Sequence, residues 1–186
     1  MKKINDFLNQ YNRKFLKLAS LDNFITIKLI NLLKIVKKIK INNKKIIIVG
    51  NGGSAAIASH FSVDMTKVGE VRSINFNESD LLTCFANDYG YENWVKQALK
   101  FYADDGDLVI LISASGNSKN MINAAKYIKK SKKTLITLTG FNGKNLLSKY
   151  GKINFIVHST NYNIIENIHQ YWLLLLVDLM AKLKKN

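Results

Sequence analysis

Two serine- and glycine-rich turns and two imidazole–carboxylate pairs are the residues of this chain whose types and spacing could do chemistry. The first turn, Gly50-Asn51-Gly52-Gly53-Ser54, follows an unbroken β-branched run and opens directly into the small-residue stretch Ala55-Ala56-Ile57-Ala58-Ser59. Glycines let the backbone turn sharply and approach a ligand closely, and Ser54 can cap the helix that follows. Free amides at such a helix start suit an anion, most often phosphate. The second turn, Ser113-Ala114-Ser115-Gly116-Asn117-Ser118, carries serine hydroxyls at 113, 115 and 118 in front of another helix. Converging neutral donors and a helix dipole are what a phosphate dianion requires. Neither turn is a Walker motif, which needs a Gly-Lys-Ser/Thr end, and Ala55 stands where a dinucleotide fingerprint has its third glycine.

The pairs are His60 with Asp64, and Glu166 with His169, at i,i+4 and i,i+3 spacing on stretches of helical pattern. Imidazole beside carboxylate suits proton transfer next to a carbonyl, or metal binding. The same spacing also suits solvated pairs on helix surfaces, and spacing alone leaves both readings open. Cys84 lies in an apolar helical pattern and reads as a core thiol, not a nucleophile.

The elements that must position these residues follow from periodicity. Residues 2–19 place Ile4, Phe7, Leu8, Tyr11, Phe15 and Leu18 on one helical face, and Asp22 or Asn23 can cap a second helix over 23–40. Strands are expected at Ile46–Val49, Val71–Phe76, Asp107–Ile112, Thr134–Leu138 and Ile153–Val157. Helices are expected at Ser54–Thr66, over 77–102 with a break at Gly90, at Asn120–Ser131, briefly up to Tyr150, and at Ile164–Leu183. Alternating strands and helices imply βαβ units and a parallel sheet. Right-handed crossovers then gather both serine turns on one sheet edge. Two helices ahead of the first strand have apolar faces in need of a partner, so residues 1–40 are an expected subunit interface.

At 186 residues the chain is expected to form a single domain, 1–186. Its net charge of +15 comes with lysines at helical spacing, such as Lys34, Lys37, Lys38 and Lys40, and no basic stripe interleaved with aromatics. That pattern indicates solvated surface, so no nucleic acid partner is expected. The single cysteine rules out an internal disulfide framework and fits a reducing compartment. The longest apolar run, Trp172 to Val177, is far too short to span a bilayer, and no leader pattern follows Met1. The expected location is the cytoplasm, with no membrane partner.

Taken together, Gly50–Ser54, Ala86-Asn87-Asp88-Tyr89-Gly90-Tyr91, Ser113–Ser118 and Leu138-Thr139-Gly140 resemble the sugar isomerase (SIS) domain, and more narrowly the bacterial phosphoheptose isomerases. The resemblance implies a flavodoxin-like parallel sheet with helices on both faces, here with two extra N-terminal helices. It also implies a homotetramer, or at least a dimer, with active sites at subunit interfaces. A sugar phosphate would be held by Asn51, Gly52, Gly53, Ser54, Asn87, Asp88, Ser113, Ser115 and Ser118. The reaction implied converts sedoheptulose 7-phosphate to an aldoheptose 7-phosphate for surface polysaccharide synthesis. The chain departs from the family at several positions: Asp64 replaces a Glu, Glu166 and Leu174 replace a Gln and a His, Ala114 replaces a Thr, and Val68 replaces a basic residue. Asp64 is the expected base, with Glu166 or His169 as counterpart. Zinc would find His60, Asp64 and Glu166 only as a weakened site, because Leu174 offers no ligand. The other expectation, from these same departures, is a non-catalytic SIS domain that binds a phosphosugar or a protein partner as a regulator.

Overall fold

Ile46, Ile48, Leu108, Ile110 and Ile136 bury their side chains on one side of a sheet, and Ile47, Val49, Val109, Leu111 and Leu135 bury theirs on the other. Strands apolar at every position are what a sheet covered on both faces requires. A computed structural model describes residues 1–131 and 133–183. It has five parallel strands, β1 (Ile46–Val49), β2 (Ser73–Ile74), β3 (Leu108–Ser113), β4 (Thr134–Thr139) and β5 (Ile153–Ile156), in the order β2-β1-β3-β4-β5. That order is the flavodoxin-like one, in which ligands bind outside the carboxyl ends of the strands. Register is set at the centre by Ile46 opposite Leu108 and Val49 opposite Leu111.

The helices are α1 (Lys2–Ala19), α2 (Asn23–Ile41), α3 (Gly53–Lys67), α4 (Ser79–Tyr89), α5 (Trp94–Tyr102), α6 (Lys119–Lys129) and α7 (Tyr162–Lys182). Side chains of α2, α3 and α7 fill one face of the sheet, and those of α5 and α6 fill the other. Asp22 caps α2 by accepting from the Ile25 amide at 2.8 Å, and Gly90, at φ +79°, ends α4. The short span Leu147–Lys149 forms only a 3-10 turn. No described helix is long and apolar enough to cross a membrane.

Two local expectations are corrected. The strand expected at Val71–Phe76 pairs only at Ser73–Ile74, because the next residues are claimed by α3. Asn75 donates to Ser62 Oγ at 2.8 Å, and Asn77 donates to Ala55 O and Ser59 Oγ at 2.8 and 2.6 Å. Cys84 is exposed, not core, since α4 buries none of its residues. The N-terminal helices are present as expected. α1 also buries no residue and leaves Ile4, Phe7, Leu8 and Leu16 between 57% and 63% exposed, while α2 leaves Phe24 and Ile27 at 65% and 58%.

Candidate functional site

The Gly50–Ser54 turn leaves β1 and the Ser113–Ser118 turn leaves β3, neighbouring parallel strands, so both stand at the carboxyl edge of the sheet. A reciprocal pair of amide hydrogen bonds joins them. Asn51 Nδ2 donates to Asn120 Oδ1 at 3.1 Å, and Asn120 Nδ2 donates to Asn51 Oδ1 at 2.9 Å. Asn120 is buried and also accepts from the Met121 amide at 3.0 Å. Sequence reasoning passed over this residue; its signal was an amide side chain in the first turn of the helix behind the serines.

Each turn has a steric reason for its glycine. A Cβ on Gly50 would lie 2.4 Å from the Ser54 carbonyl oxygen, and one on Gly116, at φ +65°, would lie 2.1 Å from Asn145 Cγ. The second turn is braced from below, where the Leu147 amide donates to Gly116 O at 3.0 Å and the Leu146 amide to Asn117 Oδ1 at 3.2 Å. Within it, Ser113 Oγ and Ser118 Oγ are 3.1 Å apart, and Ser115 Oγ accepts from the Asn117 amide at 3.2 Å. Ser118 is the N-cap of α6 but makes no capping bond with its side chain. Of the amides that open α6, that of Met121 is taken by Asn120 Oδ1, while Ser118 leaves those of Lys119 and Asn120 without a side-chain cap, and an anion there would meet those two amides and the serine hydroxyls.

Ser54 does not cap α3. Gly52, at φ +54°, takes the cap position, and Ser54 is buried one position inside the helix with its Oγ 3.4 Å from Glu166 Oε1. The Glu166 carboxylate lies so close to the helix start that a Cβ on Gly53 would come within 2.2 Å of Oε2. A carboxylate at a helix N-terminus is favoured by the dipole. Part of the anion attraction of α3 is thus used by the chain's own Glu166, which leaves the serine turn as the better phosphate seat. Asn87 donates to Asp88 Oδ1 at 2.9 Å, and neither side chain has a hydrogen bond to either turn. Tyr91, just beyond them, reaches Asn51 Oδ1 with its hydroxyl at 3.3 Å.

Along α3 and α7, one turn beyond Glu166, Gln170 meets His60: Gln170 Nε2 lies 3.0 Å from His60 Nδ1. The other ring nitrogen, His60 Nε2, lies 3.1 Å from Asp64 Oδ2. His169 is placed apart from this line. It is fully buried with Nε2 3.0 Å from the Thr139 carbonyl oxygen, and burial lowers its pKa to about 4 against the opposing hydrogen bond to Thr139. The structure thus brings together His60, Asp64 and Gln170, and separately Ser54 and Glu166, while His169 faces β4.

Zinc is bound by donors that each turn a lone pair to one point, four in a closed site. Both His60 nitrogens are engaged, Glu166 is drawn to Ser54, and Leu174 has no donor. Among the described residues no three His, Cys, Asp or Glu side chains are gathered as a metal would need. The residues of one copy do not fit zinc.

Residues 25–140 match the family model of the SIS domain. The chain belongs to the SIS domain family. Among its SIS relatives, the phosphoheptose isomerase of Campylobacter concisus is 34% identical over 140 residues, covering 71% of this chain and 72% of that protein. That of Aliarcobacter butzleri is 37% identical over 134 residues, covering 69% and 70%. The solved phosphoheptose isomerase of Neisseria gonorrhoeae superposes with a TM-score of 0.85 at 25% identity, covering 96% of this chain and 98% of that one. The SIS match takes in both serine turns and Asn120 and stops short of α7. The half of the site carried by Glu166, Gln170 and Leu174 is therefore outside it.

Proposed function

We propose that this SIS protein is a phosphosugar aldose–ketose isomerase, acting on sedoheptulose 7-phosphate or a related sugar phosphate for surface polysaccharide synthesis. The observation that carries the reading is the pair of turns locked together by Asn51 and Asn120 at the carboxyl edge, with serine hydroxyls in front of a helix start that Ser118 leaves without a side-chain cap. Relatives named phosphoheptose isomerase, at 34% and 37% identity, support it. Ser113, Ser115 and Ser118 hold the phosphate, while Asn51, Gly52 and Gly53 line the sugar. Asp64 takes the proton from the carbon next to the carbonyl, leaving an enediolate, and returns it to the neighbouring carbon. Glu166, hydrogen-bonded to Ser54, serves the hydroxyl protons that exchange as the carbonyl moves; buried His169 has no part in this.

Asp64 lies about ten residues beyond Ser54 on α3, roughly 15 Å at the helical rise. That sets Asp64 well away from the helix start, where Gly52 and Gly53 line the sugar. A site shared between copies resolves the separation, and it gives the exposed apolar faces of α1 and α2 a partner. Light scattering on the full chain is expected to return a dimer or tetramer; a stable monomer refutes the shared site. Ser115→Ala is expected to weaken phosphosugar binding by about 1–3 kcal/mol, the range for a hydrogen bond to a charged group. In calorimetry the free sugar should be insensitive to that change, and equal affinity of the wild type for sugar and sugar phosphate refutes the phosphate seat.

The experiment that tests the activity is incubation with a panel of ketose phosphates in deuterated water, reading deuterium at the carbon beside the carbonyl. A second reading, a non-catalytic phosphosugar or protein binder, is favoured by one feature: His60 has both nitrogens engaged and Leu174 gives no proton-transfer group. Tight binding of a ketose phosphate with no deuterium incorporated with any member of the panel decides for the binder.

A further inference from the structure

We propose that Gln170 is a positioning residue which fixes His60 as the Nε2–H tautomer aimed at Asp64, and that this amide–imidazole–carboxylate chain occupies the place of a metal centre. The inference rests on the isomerase reading for its purpose, but its geometry stands by itself.

Glu166, Gln170 and Leu174 recur at one-turn spacing along α7, so they share the side of the helix that runs beside α3. The outer two have no part in holding His60: Glu166 reaches up to Ser54 at 3.4 Å, and Leu174 is apolar. Gln170, between them, is the residue that meets the imidazole, with its amide nitrogen 3.0 Å from His60 Nδ1. An amide nitrogen only donates, so Nδ1 must present a bare lone pair. The neutral ring then carries its proton on Nε2, which faces Asp64 Oδ2 at 3.1 Å and donates to it. The reverse neutral tautomer would set a lone pair on Nε2 against a carboxylate oxygen and an N–H on Nδ1 against an amide N–H, two repulsive contacts in place of two bonds. A doubly protonated ring would satisfy Asp64 but would need the Gln170 amide turned over, so that its oxygen rather than its nitrogen meets Nδ1.

Two consequences follow. His60 has no nitrogen left to bind a metal, since one lone pair accepts from Gln170 and the other position carries the proton given to Asp64. The Asp64 carboxylate is in turn held by Oδ2, on a side chain that is 35% exposed, which leaves Oδ1 to take a proton. Orientation of a base by a hydrogen-bonded neighbour is the role that second-tier groups play in catalytic dyads.

The test uses the full-length protein and two readouts that need no substrate. The chain has three histidines, so His60→Gln identifies the His60 signals in a nitrogen-15 correlation spectrum of the imidazoles recorded at one neutral pH. In the wild type His60 is expected to show the Nε2–H tautomer, and in Gln170→Leu a mixture with the Nδ1–H form. A wild-type His60 in the Nδ1–H or doubly protonated state overturns the proposal, whether or not the variant folds. So does a Gln170→Leu spectrum identical to that of the wild type. Calorimetric titration of the wild type with zinc chloride is expected to give no stoichiometric binding; one tight zinc per chain that displaces the His60 signals overturns it. The tautomer and zinc results bear on the wiring alone, while absent deuterium exchange in otherwise wired protein overturns the isomerase reading alone.

Discussion

Asp64→Asn is expected to lower deuterium incorporation into a ketose phosphate by about 100-fold or more, the lower end of what a positioned general base contributes, while leaving phosphosugar binding nearly unchanged. The substitution is nearly isosteric. An asparagine carbonyl oxygen can still accept from His60 Nε2, the 3.1 Å contact that orients the aspartate, so position is kept and basicity is lost. The phosphate seat is the serine turn behind β3, and Asp64 stands on α3, outside that turn, so the charge change has little purchase on anchoring. Asp64→Glu sharpens the result. It restores the residue that the family resemblance implies, but in a setting where His60 is held between Gln170 and a carboxylate of aspartate length. A methylene of added length shifts the carboxylate by about 1 Å, and errors of that size can cost about 100-fold. Exchange is therefore expected to fall in Asp64→Glu as well. Undiminished exchange in Asp64→Asn removes Asp64 from the chemistry.

The parts of this molecule that were legible in its sequence are those governed by local pattern. Ile46–Val49 and Leu108–Ser113 are apolar at nearly every position, and a strand with both faces covered admits little else. The serine turns could be placed on one edge because strand-to-helix crossovers have one hand, and Gly90 marked the end of α4 through a conformation that other residues resist. What could not be read were partnerships made across the fold. Ser54 has the composition of a cap, but Glu166, 112 residues away, claims its hydroxyl. Asn120 looks like any polar helix residue until Asn51 is seen opposite it. The three-residue spacing of Glu166 and His169 suggested a pair, yet a helix turns enough in three residues to send one to α3 and the other to β4. Gln170 gave no signal, since an amide acquires its role only from the imidazole that faces it.

His169 leads to the last expected result, a pH-dependent loss of stability that has nothing to do with catalysis. Burial lowers its pKa from 6.5 to about 4 in the folded chain, while the unfolded chain returns it to the ordinary value. Between those two values the unfolded state binds more protons than the folded one, so stability rises with pH across the window. The contribution is fully present above about pH 6.5 and is lost progressively as pH falls toward 4. From pH 7 to pH 5 the expected loss is about 2 kcal/mol, from ~1.4 kcal/mol per unit. Carboxylates titrate at the lower end of this range too, so the wild-type slope alone does not isolate the imidazole. His169→Gln does, because its amide can still donate to the Thr139 carbonyl, now 3.0 Å from Nε2, and it takes up no proton. Urea unfolding at pH 7 and pH 5 should show the wild type losing about 2 kcal/mol more than the variant. Phosphosugar binding at pH 7 should be the same in both. Equal losses in the two proteins show that His169 is not held neutral by the fold, and a selective loss of deuterium exchange in the variant returns it to the catalytic group.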